Sequence, residues 1–436
     1  MSLYRRLIKG TIYNLIASVS GQGSTFAVSI LIARILSQAE YGQYTILLAT
    51  LLSVAMISQL STGYTAQKFV AQYRTASMQR VGQIIGACTA ICYVSAIVSG
   101  AVFFFAAPYI AGNVLNAPQN STAVAAGVIF VVFTSINSLQ TGILSGLEAF
   151  DRIARASAIC GILTIIFVPL AASYGGLLAV VTALGVLAFV RWALLNAELQ
   201  YARRMLNGRP PFMACLMREK TVIFDFTLPA CLVGLYSSSL VWYASVMLVW
   251  QPDGHREMAL YGAANTLRVL VLFLPGVITP VIMTLLTNLI GEGELRRHSR
   301  FAVSSTLSIF AICSVSAALF GAFGHLLLRL FGPDFAQAYP TLIILLASSV
   351  FEGVFCSLYQ KNVSQSLMWP SFLYIILPRD LALVLLARVL IGPFGSSGLA
   401  AASLATNIMG ILLITAVSYR SAAGWSAQAR HPSSSL

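Results

Sequence analysis

The sequence predicts an all-α membrane protein: twelve transmembrane helices in two six-helix pseudo-repeat bundles around a central cavity. Three observations predict it. Of 436 residues, 58% are hydrophobic and only 9% charged, where a soluble domain carries about 25% charged residues. The apolar residues fall into twelve runs, each long enough to cross a bilayer core, which takes about 20 residues. The two halves of the chain also repeat landmark residues at one constant offset.

In order, the runs of the first half are 11–32, 41–62, 83–107, 122–145, 153–172 and 174–196. Those of the second half are 223–250, 259–290, 301–324, 341–358, 371–391 and 398–419. The run 259–290 is long enough to bend, and Pro275 and Pro280 lie where a kink would fall. Although Arg5, Arg6 and Lys9 resemble the basic start of a signal peptide, the apolar run behind them is too long for one, so it is expected to remain as a span. Four segments follow: a bundle over 1–200, a basic cytoplasmic linker over 201–222, a second bundle over 223–420 and a cytoplasmic tail over 421–436.

Charge fixes an orientation. With a cytoplasmic N-terminus, 19 of the 26 Lys and Arg fall in inner segments, among them Lys68, Arg74, Arg80, Arg152 and Arg155. Only Arg34, Arg256 and Arg329 fall outside, and Arg191, Arg268, Arg379 and Arg388 lie within runs. This is the positive-inside pattern, and it puts both termini in the cytoplasm. The net charge of +13 is thereby explained without a nucleic-acid partner.

The repeat supports the same architecture. Tyr41-Gly42 recurs as Tyr261-Gly262, Tyr174-Gly175 as Phe394-Gly395, and Gly112 as Gly332. Six spans per half make these parallel repeats, related by an axis along the membrane normal, an arrangement suited to alternating access.

Several chemistries are missing. None of the four lysines follows a glycine, so there is no phosphate-binding P-loop, and no His is followed by Glu as a zinc-protease helix requires. The seven cysteines are scattered and are expected to be small buried residues, with no metal site and no cofactor. The longer outer connections, 108–121 and 325–340, carry almost no acid–base groups, so transport is expected and catalysis is not.

Ionisable residues at bilayer depth are costly without water or a partner, so each is a candidate functional group. Arg268 lies about ten residues into the eighth run, Glu352 near the middle of the tenth, and Arg379-Asp380 in the eleventh behind Pro378. One reading is a cationic cavity in which Arg268 and Arg379 meet an anionic substrate while Glu352 or Asp380 carries a proton or serves as partner. The other is fixed ion pairs between helices. Asp225, Arg191 and Arg388 sit nearer run ends, where a structural role is expected. Polar neutral residues (Asn14, Ser18, Ser20, Gln22, Ser24 and Thr25 in the first run; Ser135, Asn137, Ser138 and Gln140 in the fourth) suggest wetted faces or helix contacts.

Three motifs carry a family resemblance. Ala33-Arg34-Ile35-Leu36 through Glu40-Tyr41-Gly42-Gln43-Tyr44 resembles the AR-x-L-x-x-x-E-Y-G-x-Y signature between the first two spans of polysaccharide-unit flippases. Gly146 to Arg152 and Phe331 to Ala338 resemble two further stretches of the same family. With twelve spans in two halves, the chain is similar throughout to the Wzx-like branch (O-antigen and exopolysaccharide flippases) of the MOP exporter superfamily, which also holds the MATE drug exporters and the lipid II flippases. The resemblance implies movement of an undecaprenyl-diphosphate-linked oligosaccharide across a bacterial inner membrane, with a polysaccharide polymerase and chain-length proteins as partners. It puts Arg34 in the signature and Lys68 at a basic position that could meet the diphosphate. Proton or sodium coupling is left open. The alternative is another exporter of the superfamily, a drug/cation antiporter.

Overall fold

The computed structural model describes residues 3–74, 77–204, 227–291, 294–364 and 368–428. Among the described residues every regular element is a helix. The first are α1 (Leu3–Ile35), α2 (Gln38–Ser58), α3 (Thr62–Tyr73), α4 (Met78–Tyr109), α5 (Ser121–Gly146) and α6 (Phe150–Arg204). Then come α7 (Leu228–Val249), α8 (Gly254–Val271), α9 (Phe273–Gly291), α10 (Leu295–Ala322), α11 (Gly324–Arg329), α12 (Tyr339–Ser364), α13 (Met368–Ser371) and α14 (Leu377–Gln428). Asp225, Arg209, Arg218, Lys220, Cys215 and Arg430 lie outside the described residues.

Eight of these helical stretches are long and apolar enough to cross a membrane, and the bent pair α8–α9 makes a ninth. Two of the eight, Phe150–Gln200 and Trp369–Val417, have 51 and 49 residues, enough for two limbs each. The limbs divide at a glycine in both. Gly176 has φ 54° and ψ −145°, and Gly395 has φ 53° and ψ −129°. That backbone region is closed to residues with a Cβ; in the second half the glycine is that of the Phe394-Gly395 landmark itself, and in the first half it is Gly176, one residue beyond Tyr174-Gly175. The landmark pair Gly112 and Gly332 is not equivalent: Gly112 lies in a π-helical turn, Ile110–Val114, whereas Gly332 sits at φ 146°.

Prolines set the other distortions. Pro275 has no N–H to give the Val271 carbonyl, and the helix breaks there: α8 ends at Val271 and the pair bends by 45°. Pro378 likewise cannot reach the Tyr374 carbonyl. The segment Phe372–Ile376 is a π-helical turn, closed by the Leu377 N–H on the Phe372 carbonyl.

The chain divides into two compact units, Met1–Gly262 with Leu330–Asp334, and Ala263–Arg329 with Phe335–Leu436. In the first, α6 packs on α1 and α5, and α5 packs on α3 and α4. Its helices touch backbone to backbone where glycines allow. A Cβ on Gly42 would stand 1.7 Å from the His255 carbonyl oxygen, and one on Gly142 would stand 2.1 Å from the Gly63 carbonyl oxygen. One core cluster joins Val70, Ile84, Cys88, Ile136, Ile143, Leu195 and Leu199. In the second unit, α12 packs on α10, α9 and α14.

Large apolar side chains also cover the outside: Phe105 is 82% exposed, and Val102, Leu385 and Val389 are exposed as well. Such a surface is stable only in lipid. The cysteines depart from expectation. Cys88, Cys92, Cys160 and Cys313 are buried, but Cys231 is half-buried and Cys356 exposed. The expectation rested on hydropathy alone, and the exposed face of Cys356 turns out to border charged groups.

Candidate functional site

Four of the in-span charges come together in the second unit. Arg268 occupies the last turn of α8, just before the bend that Pro275 imposes. There its charge also complements the carbonyl end of the helix. Its Nη1 donates to Asn265 Oδ1 at 2.8 Å, and its Nη2 donates to the Glu352 carboxylate on α12. Arg379 follows Pro378 at the start of α14, and its Nε donates to Asp380 Oδ1 at 2.7 Å. The Arg379 guanidinium lies over the Phe355 ring, 4.6 Å from its centroid, and Phe355 is three residues beyond Glu352 on α12. Cys356, also on α12, lies within electrostatic reach of Arg268, Glu352 and Arg379. The two ion pairs therefore form one cluster.

Gly410 completes its wall. A Cβ there would stand 3.0 Å from the Phe355 ring and 3.1 Å from Arg379 Cδ. The second limb of α14 thus closes on the cluster only because position 410 has no side chain. Nearby, buried Asn407 donates to Ser348 Oγ at 3.0 Å, and Thr341 meets Ser396 and Ser397, so α12 and α14 are also joined by hydrogen bonds.

Electrically the cluster is balanced, with two guanidiniums against two carboxylates. Neither arginine is a bare cation. Asp380 is 1% exposed, and its Oδ2 has no hydrogen-bond partner. One oxygen of a buried carboxylate is thus left unsatisfied beside a guanidinium.

Arg34 and Lys68 lie in the first unit, on α1 and α3. Arg34, in the last turn of α1, donates Nε to the Leu330 carbonyl at 2.6 Å. This holds the segment 330–334, whose Phe331 packs edge-on against Tyr41. The rest of the signature makes local contacts. Ser37 and Glu40 form a capping box at the start of α2, and the buried Tyr41 hydroxyl meets Ser29 Oγ at 2.6 Å. Lys68 stands exposed on α3, its Nζ 5.3 Å from the Phe69 ring. In the second motif Gly146 packs on Val70, and Arg152 pairs with Glu198 at 3.2 Å.

The sequence reading did not single out Asn265, Phe355 or Gly410. Their signal was helical spacing: Asn265 is one turn before Arg268 and Phe355 one turn after Glu352, on the same helix faces. Several of the polar residues of the first and fourth runs make helix contacts, the second of the two uses expected of them. Ser24 and Thr25 bond the Gly21 carbonyl of their own helix, while Ser135 bonds the Ala55 carbonyl on α2 and Asn137 the Ala188 carbonyl on α6. Arg191, near the end of its apolar run, lies inside α6, which continues to Arg204, and its Nε is buried without a hydrogen-bond partner.

Comparison with known proteins agrees with this architecture. The chain is 21% identical over 379 residues to the EPS I polysaccharide export inner membrane protein EpsE of Ralstonia nicotianae, covering 84% of this chain and 83% of that one. Among solved structures, the eukaryotic MATE transporter AtDTX14 superposes with a TM-score of 0.76 at 11% identity, over 95% of this chain and 96% of that one. The lipid II flippase MurJ, in an inward closed conformation, superposes with a TM-score of 0.70 at 12% identity, over 93% and 86%. An inward-facing multidrug resistance MATE transporter of the MOP superfamily gives 0.67 at 13% identity, over 94% and 99%. The fold is thus that of the MOP exporters. A family model described as polysaccharide biosynthesis protein matches residues 7–287, more than half of the chain, and the protein belongs to that family.

Proposed function

We propose that the protein is a flippase that moves an undecaprenyl-diphosphate-linked oligosaccharide from the inner to the outer leaflet of a bacterial inner membrane, for surface polysaccharide synthesis. Both termini are cytoplasmic in this reading, as the distribution of basic residues requires. The observation that carries it is the balanced cluster Arg268–Glu352 and Arg379–Asp380, set among membrane helices of a polysaccharide biosynthesis protein.

The cluster supports an exchange mechanism. A diphosphate in a low-dielectric site needs guanidinium partners, since an unpaired charge there is costly. Arg268 and Arg379 supply them once Glu352 and Asp380 take up protons or sodium ions. Release of those ions on the other side restores the ion pairs and expels the anion. Alternating access then follows from which partner the arginines hold. A polymerase and chain-length proteins consume the product.

The second reading, a drug/cation antiporter, is favoured only by fold likeness to the MATE transporters. It fits the charges less well, since a cation would meet two arginines beside the two acids.

Deletion of the gene in its native host, followed by extraction of undecaprenyl-linked lipids, tests the proposal. Accumulation of a complete lipid-linked repeat unit with loss of surface glycan is the expected result. A normal lipid pool with altered sensitivity to cationic drugs would overturn it in favour of the antiporter.

A further inference from the structure

Among the described membrane-spanning stretches, α10 is the least enclosed. Only 11% of its apolar window is buried, against 22–50% in the other seven. One face is packed: His298, Ala302, Ser305, Ile309 and Cys313 recur at helical spacing and are all buried. Ile309 and Cys313 meet α12, where a Cβ on Gly353 would stand 2.7 Å from Cys313 Sγ and 3.2 Å from Ile309 Cγ2. On the same side Thr306 Oγ1 meets Ser357 Oγ at 2.9 Å.

The opposite face is bare. It carries Arg300, Val303, Ser304, Leu307, Ser308 and Ala311, all exposed, and they line a cavity of about 680 Å³. Arg300 to Ala311 spans about 16 Å of helix axis, close to one leaflet of a hydrocarbon core about 30 Å thick. Charge gathers at one end of this furrow. Arg296, Arg297 and Arg300 are exposed near the start of α10, whose first turn holds no acid. Arg297 pairs with Glu294 at 2.8 Å, but among the described residues Arg296 and Arg300 have no carboxylate partner. Both also stand at the positive end of the helix dipole, so an anion beside them relieves two repulsions at once. Beyond Arg300 the helix carries no charge as far as Ala322. The Ser308 hydroxyl is already spent on the Ser304 carbonyl, so a hydrocarbon chain can lie over it without stranding a donor.

We propose that this face of α10 binds an anionic phospholipid of the inner leaflet, its phosphate at Arg296 and Arg300 and an acyl chain along Val303, Leu307 and Ala311. The leaflet follows from the cytoplasmic placement of these arginines in the flippase reading, on which the proposal rests. Charge complementarity selects this occupant. A second copy of the chain, related by an axis along the membrane normal, would bring two arginine clusters together. The lipid carrier is directed elsewhere in the exchange mechanism, to Arg268 and Arg379, whereas this face points away from α12, which holds Glu352. Bound here, the phospholipid covers the span that the protein's own packing leaves most open, and it links the stability of the second unit to membrane composition.

Thermal unfolding of the purified full-length protein, stripped of lipid in detergent and titrated with phosphatidylglycerol or phosphatidylcholine, tests the proposal. Phosphatidylglycerol should raise the melting temperature and phosphatidylcholine should not. The double variant Arg296→Gln, Arg300→Gln should raise the Kd for phosphatidylglycerol about thirtyfold, the loss of two basic contacts with a head group. The double variant Ser304→Phe, Ser308→Phe keeps the charge and faces lipid, but fills the furrow, and should weaken binding about tenfold or more. Equal stabilisation by the two lipids, or selectivity retained in the arginine variant, overturns the proposal. Selectivity lost in the arginine variant but intact in the serine variant also overturns it, because charge alone then suffices. Tighter binding of undecaprenyl phosphate in competition would assign the face to the carrier instead, and a wild-type dimer that the serine variant lacks would assign it to a second copy. The measurement needs no transport. If the deletion strain accumulates no lipid-linked repeat unit, the flippase reading fails, while the phospholipid site stands or falls on melting.

Discussion

Arg268 and Glu352, 84 residues apart in sequence, share a hydrogen bond between Nη2 and Oε2. Their side chains are 17% and 27% exposed, so the pair is mostly but not wholly removed from solvent. Breaking one partner leaves the other charge poorly compensated, whereas exchanging both keeps the balance.

Arg268→Glu and Glu352→Arg should each abolish export and lower the amount of inserted protein, and the double exchange should recover insertion. A double-mutant cycle on thermal unfolding of the purified protein is expected to give a coupling of about 1 kcal/mol or more. Additive effects would mean the two side chains do not act as a pair.

Replacing Glu352 by Gln, or Asp380 by Asn, removes the groups proposed to take up a coupling ion while keeping their shape. Each variant should insert normally, hold less substrate-linked ion flux, and lose the dependence of export on a proton or sodium gradient. Unchanged gradient dependence in both would assign these acids a structural role alone.

Arg379 needs its planar guanidinium as well as its charge, because it lies over the Phe355 ring while bonding Asp380. Arg379→Lys should therefore fail to restore export, and Phe355→Leu should destabilise the protein by about 1–2 kcal/mol through lost stacking and packing. Wild-type melting and export for Phe355→Leu would show the stacking to be incidental.

Gly42→Ala puts a methyl group 1.7 Å from the His255 carbonyl oxygen, a backbone atom that cannot turn away. Overpacking of this kind typically costs about 1–3 kcal/mol, so the variant should melt earlier or fail to accumulate in the membrane. Gly276→Ala, where a Cβ meets nothing within 4 Å, is the matched control and should accumulate normally.

Pro275→Ala restores the N–H that the Val271 carbonyl lacks. The 45° bend should relax toward a continuous helix and carry Arg268, one turn before the break, out of line with Glu352. Spin labels placed on α8 and α9 would report the straightening, and export should fall even though no charged residue has changed. An unaltered bend would mean that packing, not Pro275, sets it.

Much of this was legible without coordinates, and the reasons are local. A helix in lipid must satisfy its own backbone groups, so hydropathy, prolines and glycines along the chain largely dictate its shape. The breaks at Gly176 and Gly395 lie at or one residue beyond a dipeptide repeated 220 residues apart in sequence, and the bend before Pro275 follows from one missing N–H. The charged residues Arg268, Glu352, Arg379 and Asp380 also announced themselves, because ionisable groups are rare at such depth.

Pairing was not legible. Nothing in spacing says that Glu352 on α12 meets Arg268 rather than Arg379, that Asp380 bonds its own neighbour, or that Phe355 and Gly410 frame the cluster. Nor does it say that Arg34 serves the Leu330 carbonyl, or that the Arg191 Nε is buried without a partner. By itself the sequence determined where the helices run, where they break and which residues carry charge into the membrane, since each of these depends on chemistry within a few residues. Only the tertiary structure decided which charges cancel and which remain, because that depends on the rotation and approach of helices far apart in the chain, set by close packing at positions such as Gly63 with Gly142 and Gly410 with Phe355.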